Sequence, residues 1–167
     1  MSALLLQVVL IFLNAVFASA EIAVISVSDA KLAKLEEDGN KKAKKLKKLT
    51  ENPANFLATI QIAITLSGFL ASAFAAENFS DDLTEFILST GFTAVSPQVL
   101  NSVSVVVITL LLSYFTLVFG ELVPKRVAIK KTDQLALGVA SLITVISKVC
   151  APVVWILTAS TNGVLRL

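Results

Sequence analysis

The sequence predicts an all-α integral membrane protein, with three transmembrane helices, a juxtamembrane helical hairpin and further belt helices beside the membrane. Hydrophobic residues make up 56% of the 167 residues, and the mean hydropathy of +0.83 lies well above that of soluble domains. Three apolar stretches are each long enough to cross hydrocarbon about 30 Å thick, since about 20 helical residues suffice. Charged residues are gathered between these stretches, so the solvent for much of the chain must be lipid.

The first predicted span covers residues 3–27. It is too long for the apolar core of a secretory signal, and no basic residue precedes it, so we expect it to remain in the mature protein. Residues 28–53 follow as a helical hairpin with eight lysines, which predicts a cytoplasmic position by the positive-inside rule. Ser28 is expected to cap its first helix, Gly39-Asn40 to end that helix, and Asn52-Pro53 to end the second.

The second predicted span covers residues 55–76, and the loop 77–98 after it carries four acidic residues and no Lys or Arg. We therefore expect this loop outside the cell, with a short surface helix before Gly91. The third span covers residues 99–122. Basic residues follow it directly and return the chain to the cytoplasm.

Residues 123–167 are predicted to form a juxtamembrane belt. Lys148 and Pro152 divide the end of this tail into apolar pieces that are each shorter than a membrane crossing. A bent or interfacial pair of helices is favoured, and a fourth straight span is the alternative. The predicted topology in the cell membrane has the N-terminus outside and the C-terminus in the cytoplasm.

The chain has no histidine and one cysteine, Cys150, which excludes zinc sites, disulfide frameworks and catalysis by an imidazole base. It contains no phosphate-binding loop, nucleophile elbow or metalloprotease motif, so we expect neither an enzyme nor a nucleic-acid partner. The available ligands are carboxylates, hydroxyls, amides and carbonyls. These oxygen ligands suit hard cations such as Mg²⁺, Na⁺ and Ca²⁺.

Two acidic residues lie inside the predicted spans, where an ionised side chain costs about 2.5–3.5 kcal/mol on insertion scales. Glu21 is on span one and Glu121 ends span three. Both lie in the cytoplasmic halves of their helices, so they can approach one another. Gly120 lets a neighbouring backbone pack closely beside Glu121. For Glu21 the alternatives are contact with the headgroup region or a pair with a lysine.

Polar residues accompany these acids on spans one and two. Asn14 and Ser19 lie on span one, and Gln61, Thr65 and Gly68 form a stripe at helical spacing on span two. Such a stripe is expected to face the helix bundle. A cation site and simple helix packing both remain open as its role.

Three segments, in this order and spacing, resemble the transmembrane domain of the CNNM/CorC family, also called the DUF21 domain. They are NAVFASAEIA at residues 14–23, NPANFLATIQIAIT at 52–65 and GELVPK at 120–125. The likeness covers nearly the whole chain. At one point the sequence departs from the family pattern, because Ala63-Ile64-Thr65 stands where many members carry Gly-Asn-Asn.

The resemblance implies a homodimeric magnesium transporter that exports Mg²⁺, coupled to Na⁺, by alternating access. It also implies cytoplasmic CBS domains in the full-length protein. The positions that match the cation site of the family are Ser19, Glu21, Thr65, Gly68, Gly120 and Glu121. The alternatives are a membrane anchor or Mg²⁺ sensor that transports nothing, and a transporter of another hard cation.

Overall fold

The computed structural model describes residues 3–91 and 95–165. Within these ranges the chain forms seven α-helices and one π-helical turn. In chain order they are α1 (Ala3–Ser26), α2 (Asp29–Glu37), α3 (Lys41–Thr50), α4 (Pro53–Ser89), α5 (Pro97–Leu117), the π-helical turn (Val118–Leu122), α6 (Val123–Lys130) and α7 (Thr132–Val164).

Four helical stretches of the described chain are long and apolar enough to cross a membrane, one more than the sequence predicts. They are α1, α4, the continuous stretch Pro97–Lys130 that joins α5 to α6, and α7. The prediction of an all-α protein with several membrane helices is confirmed. The additional candidate is α7.

Helix α4 is longer than predicted. We expected a separate surface helix after the second span, and this expectation is wrong because α4 continues without interruption from Pro53 to Ser89. Residues 77–89 contain neither glycine nor proline, so nothing stops the helix before Gly91, which has a φ of +83°. A helix of 37 residues is about 55 Å long, so its acidic end extends beyond the hydrocarbon.

The tail forms one helix, α7, and the predicted pair of helices divided at Pro152 is therefore wrong. Pro152 removes a single backbone N–H, and long apolar helices tolerate such a gap when local adjustments satisfy the freed carbonyl. The helical path breaks earlier, at Lys131, whose φ of −127° and ψ of 39° separate α6 from α7.

The two helices of the hairpin between α1 and α4, and the turns that end them, match the prediction. Gly39 takes a φ of +81° after α2, and Asn40 then caps α3, where its Oδ1 accepts from the N–H groups of Lys42 at 2.9 Å and Ala43 at 3.2 Å. Ser28 stands at the N-cap position of α2, but its side chain makes no capping hydrogen bond. Asn52-Pro53 separates α3 from α4 as expected.

A buried core joins the hairpin to the adjacent ends of the long apolar helices. Leu32 of α2 and Leu46 of α3 are almost fully buried in it. The other buried members come from α1, α4, α6 and α7, and they are Phe17, Ala20, Ala23, Val24, Phe56, Ile60, Ala63, Ala128, Ala136, Ala140 and Ile143. Many of them are alanines, which lets the helices approach closely. This packing holds the end of α1, with Glu21, beside α6.

Candidate functional site

A cavity of about 400 Å³ lies between α1, α4 and α5, and it reaches the π-helical turn. Its lining combines an apolar wall with oxygen-bearing side chains from each of these elements. The polar or small lining residues are Asn14, Thr65, Gly68, Ser72, Ser113, Thr116 and Glu121, and the apolar ones are Ile64, Phe69, Leu112 and Leu117. The cavity therefore has a mainly apolar wall that carries several oxygen-bearing groups, within helices of membrane-spanning length.

The π-helical turn at the end of the cavity follows from Pro124. A proline has no N–H to donate to the carbonyl four residues earlier, and its ring collides with that carbonyl, which here belongs to Gly120. The helix widens at this point, and the N–H of Val123 donates to the carbonyl of Val118, five residues back. The freed Gly120 carbonyl accepts instead from Nδ2 of Asn14 on α1, at 3.2 Å.

Gly120 leaves the space that this contact occupies. A Cβ at this position would lie 3.1 Å from Asn14 Nδ2 and 3.4 Å from the carbonyl oxygen of Ile11. The first distance is tighter than ordinary van der Waals contact, so a larger residue would push α1 away from the turn. Gly120 thus allows α1 to pack close to the π-helical turn, beside the carboxylate of Glu121.

Asn14 also presents an acceptor without a protein partner. Its side chain is buried, with 3% of the residue exposed, and Oδ1 makes no hydrogen bond within the described chain. An unpaired buried amide oxygen costs about 1–3 kcal/mol, and this one belongs to a residue that lines the cavity. Asn14 is therefore a candidate ligand, although the sequence placed it only among the polar groups of span one. Asn14 is seven residues, or two helical turns, before Glu21, and this spacing could have placed it on the same face of α1 as that acid.

The two glutamates meet at one lysine. Nζ of Lys125 on α6 lies 2.9 Å from Oε1 of Glu121, with hydrogen-bond geometry. The same Nζ lies 3.0 Å from Oε2 of Glu21 on α1, as an ion pair without a directed hydrogen bond. The expectation that the two acids approach one another is confirmed, and so is the alternative that Glu21 pairs with a lysine.

The six predicted site residues divide into those at the cavity and those away from it. Thr65, Gly68 and Glu121 line the cavity, and Gly120 lies at its end through the bond from Asn14. Ser19 and Glu21 are not among the lining residues. The Ser19 hydroxyl donates to the carbonyl of Ala15 in its own helix, which occupies its proton within α1.

No group of three or more acidic, cysteine or histidine side chains is arranged to hold a metal ion anywhere in the described ranges. The cavity instead offers the Glu121 carboxylate together with neutral oxygens from Asn14, Thr65 and nearby hydroxyls. A site with one carboxylate suits a cation that keeps much of its water and is held weakly enough to leave.

Comparison with known proteins matches residues 5–167 to the family described as the cyclin M transmembrane N-terminal domain. A UPF0053 protein of Synechocystis is 38% identical over 159 residues, which are 95% of this chain and 35% of the relative. The polyamine export protein of Haemophilus influenzae is 28% identical over 162 residues, 96% of this chain and 36% of the relative. A UPF0053 inner membrane protein of Escherichia coli is 24% identical over 155 residues, 93% of this chain and 32% of the relative.

The chain spans about a third of the length of these relatives. The family match covers nearly all of it, and the helices of spanning length agree with a membrane domain. The chain therefore belongs to the CNNM family, as a cyclin M transmembrane domain shared with the UPF0053 proteins.

Proposed function

We propose that this domain moves Mg²⁺ across the membrane, and that it exports Mg²⁺ in exchange for Na⁺ by alternating access. The observation that carries the proposal is the cavity at the π-helical turn, where an unpaired amide oxygen and a carboxylate lie together among membrane helices. Polar groups at such depth are expensive, and they mark ion pathways in membrane proteins.

The arrangement of α1 supports a path through the domain. Gln7, Asn14 and Glu21 are spaced by seven residues, so they follow one face of the helix at steps of about 10 Å. Gln7 is buried, and neither its amide nitrogen nor its amide oxygen has a partner within the described chain. Buried amides without partners are rare. This row of polar groups lies along the face of α1 that brings Asn14 to the cavity.

The size and chemistry of the cavity suit a hydrated cation. Six waters at about 30 Å³ each occupy roughly 180 Å³, less than half of the cavity of about 400 Å³. Mg²⁺ loses its water reluctantly and is held by one or two carboxylates with retained waters. Glu121, Asn14 and Thr65 are the proposed ligands, and Na⁺ is proposed to use overlapping oxygens.

The proposal keeps three spanning stretches, namely α1, α4 and α5 with α6, and it treats α7 as a juxtamembrane belt. Asp133, near the start of α7, is ion-paired with Lys31, and Ser141 Oγ lies 3.1 Å from Lys45 Nζ. These contacts support a position of the first part of α7 on the lysine-rich cytoplasmic hairpin. The N-terminus is then outside and the C-terminus inside.

A cysteine scan tests this topology. Val164→Cys, in a Cys150→Ser background, should react with a membrane-impermeant maleimide only after the cells are permeabilised. Labelling of intact cells at this position would favour α7 as a fourth span. Asp82→Cys in the acidic end of α4 is the matched external control, since that end is expected to be labelled without permeabilisation.

Two further parts of the proposal concern partners. We propose a homodimer whose interface includes apolar residues that α5 leaves exposed, among them Val106, Leu110 and Tyr114. We also propose that cytoplasmic CBS domains follow this domain in the full-length protein. The greater length of the relatives is consistent with further domains.

Polyamine export is a second candidate function, and one contact favours it. The primary ammonium of Lys125, at the end of an alkyl chain, lies 3.0 Å or less from both Glu21 and Glu121. A polyamine ends in the same group, and the apolar wall of the cavity suits its methylene segments. A relative that shares 28% identity is named polyamine export protein.

Transport by the purified protein in liposomes tests these functions. We expect Mg²⁺ flux that is driven by an opposing Na⁺ gradient, abolished by Glu121→Gln and retained by Glu85→Gln. Glu85 is the control because it is exposed on the acidic end of α4. Flux of spermidine without flux of Mg²⁺ would establish the second candidate. Flux of neither would contradict both candidates and favour an anchor or sensor.

A further inference from the structure

Lys125 is ion-paired with the carboxylate of Glu121, which the proposed function assigns as a ligand of the transported cation. Its Nζ donates to Glu121 Oε1 at 2.9 Å and lies 3.0 Å from Glu21 Oε2. The three side chains are 27%, 29% and 20% exposed, in the order Lys125, Glu121 and Glu21. The group carries a net charge of −1 at the end of a cavity that an incoming cation must enter.

The two ion pairs differ in the helices that they join. Lys125 and Glu121 are four residues apart on one continuous helical stretch, and their contact is a directed hydrogen bond. Glu21 belongs to α1, and its Oε2 makes no directed hydrogen bond in the described part of the chain. A lysine side chain is a long, flexible stem with a rotatable ammonium group, so it can leave Glu121 and remain beside Glu21.

We infer that Lys125 is a tethered competitor for the cation at Glu121, and that Glu21 holds the Lys125 ammonium while a cation is bound. The inference rests on the proposed function, because it assumes that Glu121 is a cation ligand. Glu21 then has a defined role, since it prevents the displaced ammonium from becoming an unpaired, partly buried charge. When Glu121 binds the transported cation, it loses its ion pair with the Lys125 ammonium.

A tethered competitor has two consequences. Its effective concentration is high because its backbone lies on the same helix as Glu121, so the apparent affinity for any cation is lowered. A divalent ion gains about twice the Coulomb energy of a monovalent ion at the same distance from the carboxylate. Mg²⁺ therefore displaces the ammonium more readily than Na⁺ does, while the competitor lowers the apparent affinities for both ions by the same factor.

The alternative is that the three charges only tie α1 to α6, and the two roles predict opposite results. Isothermal titration of MgCl₂ into the full chain in detergent separates them, with Lys125→Met, Lys125→Gln, Glu21→Gln and the control Lys130→Met beside the wild type. Lys130 is exposed on α6 and makes no ion pair in the described ranges.

We expect both neutral variants of Lys125 to bind Mg²⁺ at least about fivefold more tightly than the wild type, because the competitor is gone. Glu21→Gln should bind more weakly, since Lys125 then has Glu121 as its remaining partner. Lys130→Met should leave the affinity unchanged.

Weaker or unchanged Mg²⁺ binding in folded Lys125→Met and Lys125→Gln would overturn the inference while leaving the proposed function intact. A lowered melting temperature in these variants would then indicate a structural tie. Binding that appears only when Lys125 is neutralised would support the inference strongly. Absence of cation binding in every variant would overturn the proposed function, and this inference with it.

Discussion

Two of the long apolar stretches contain an internal proline, and the surroundings of these prolines differ. Pro124 lies between α5 and α6, directly after the π-helical turn, and the carbonyl that it frees accepts a hydrogen bond from Asn14. Pro152 lies inside α7, which remains α-helical around it. The residue four positions before it is Lys148, whose side chain is exposed.

The cavities beside the two prolines differ in the same way. Near Pro152, a smaller cavity of about 220 Å³ is lined by residues of α4 and α7, and no carboxylate is among them. Its buried hydroxyl, that of Thr59, donates to the carbonyl of Asn55 in its own helix. The cavity near Pro124 contains Glu121 and the unpaired Oδ1 of Asn14.

The comparison of Pro124 with Pro152 shows that a proline in a long apolar helix does not create a candidate cation site by itself. Pro124 frees a carbonyl, Gly120 lets α1 approach it, and Asn14 binds it while keeping one acceptor unpaired. Glu121 then supplies charge at the same turn. Substitutions that remove one of these contributions should reduce cation binding, and matched substitutions near Pro152 should not.

Replacement of Asn14 should have the largest effect on binding among these neutral residues. Asn14→Leu removes both the amide that pairs with the Gly120 carbonyl and the candidate ligand Oδ1. We expect Mg²⁺ affinity to fall by about 30-fold or more, since a lost buried polar partner costs about 1–3 kcal/mol and a ligand is lost as well. Titration calorimetry measures this loss.

Thr59→Val, near Pro152, is the control for Asn14→Leu, because Thr59 is equally buried and its hydroxyl bonds only within α4. Its affinity should match that of the wild type. Equal losses in the two variants would mean that general packing, and not the Asn14 oxygen, controls binding.

Substitution of Gly120 should have the next largest effect. In Gly120→Ala the new Cβ meets Asn14 Nδ2 at 3.1 Å, so α1 must move and the turn is overpacked, at a cost of about 1–3 kcal/mol. We expect a lower melting temperature and roughly tenfold weaker Mg²⁺ binding, since 1.4 kcal/mol corresponds to a factor of ten.

Gly163→Ala in α7 is the matched variant, since a Cβ at that position meets nothing within 4 Å. It should bind as the wild type does and be slightly more stable, because alanine favours a helix more than glycine does. Wild-type binding by Gly120→Ala would show that the close approach of α1 is dispensable.

Substitution of Pro124 should have the smallest effect of the three. Pro124→Ala restores an N–H that can donate to the Gly120 carbonyl, so the cause of the π-helical turn is removed. We expect Mg²⁺ affinity to drop by about threefold to fivefold without loss of thermal stability, because the freed carbonyl no longer needs Asn14. Pro152→Ala should leave the affinity unchanged, and a similar drop in both variants would remove the distinction between the two prolines.

The parts of the fold that depend on local signals were predictable from the sequence. Gly39-Asn40 and Asn52-Pro53 place the hairpin turns because glycine, asparagine and proline act on their own backbone. The length of α4 and the continuity of α7 were not predicted. A charged segment can extend a spanning helix into water, and one proline does not always divide a helix, so the outcome depends on tertiary packing.

The candidate site was predictable in part for the same reason. Glu121 stands out because an acid at membrane depth is costly, and Thr65 and Gly68 follow from helical spacing. The unpaired state of Asn14 Oδ1 depends on which atom of a distant helix its amide meets. The pairing of both glutamates with Lys125 depends on the approach of α1 to α6, which the sequence does not encode locally.

Titration of MgCl₂ into the purified chain in low-sodium detergent, with the wild type beside Glu121→Gln and Glu85→Gln, tests the central claim most directly. We expect saturable binding in the wild type and in Glu85→Gln, and its loss in Glu121→Gln. Saturable binding of equal affinity in folded Glu121→Gln would contradict a cation site at the π-helical turn.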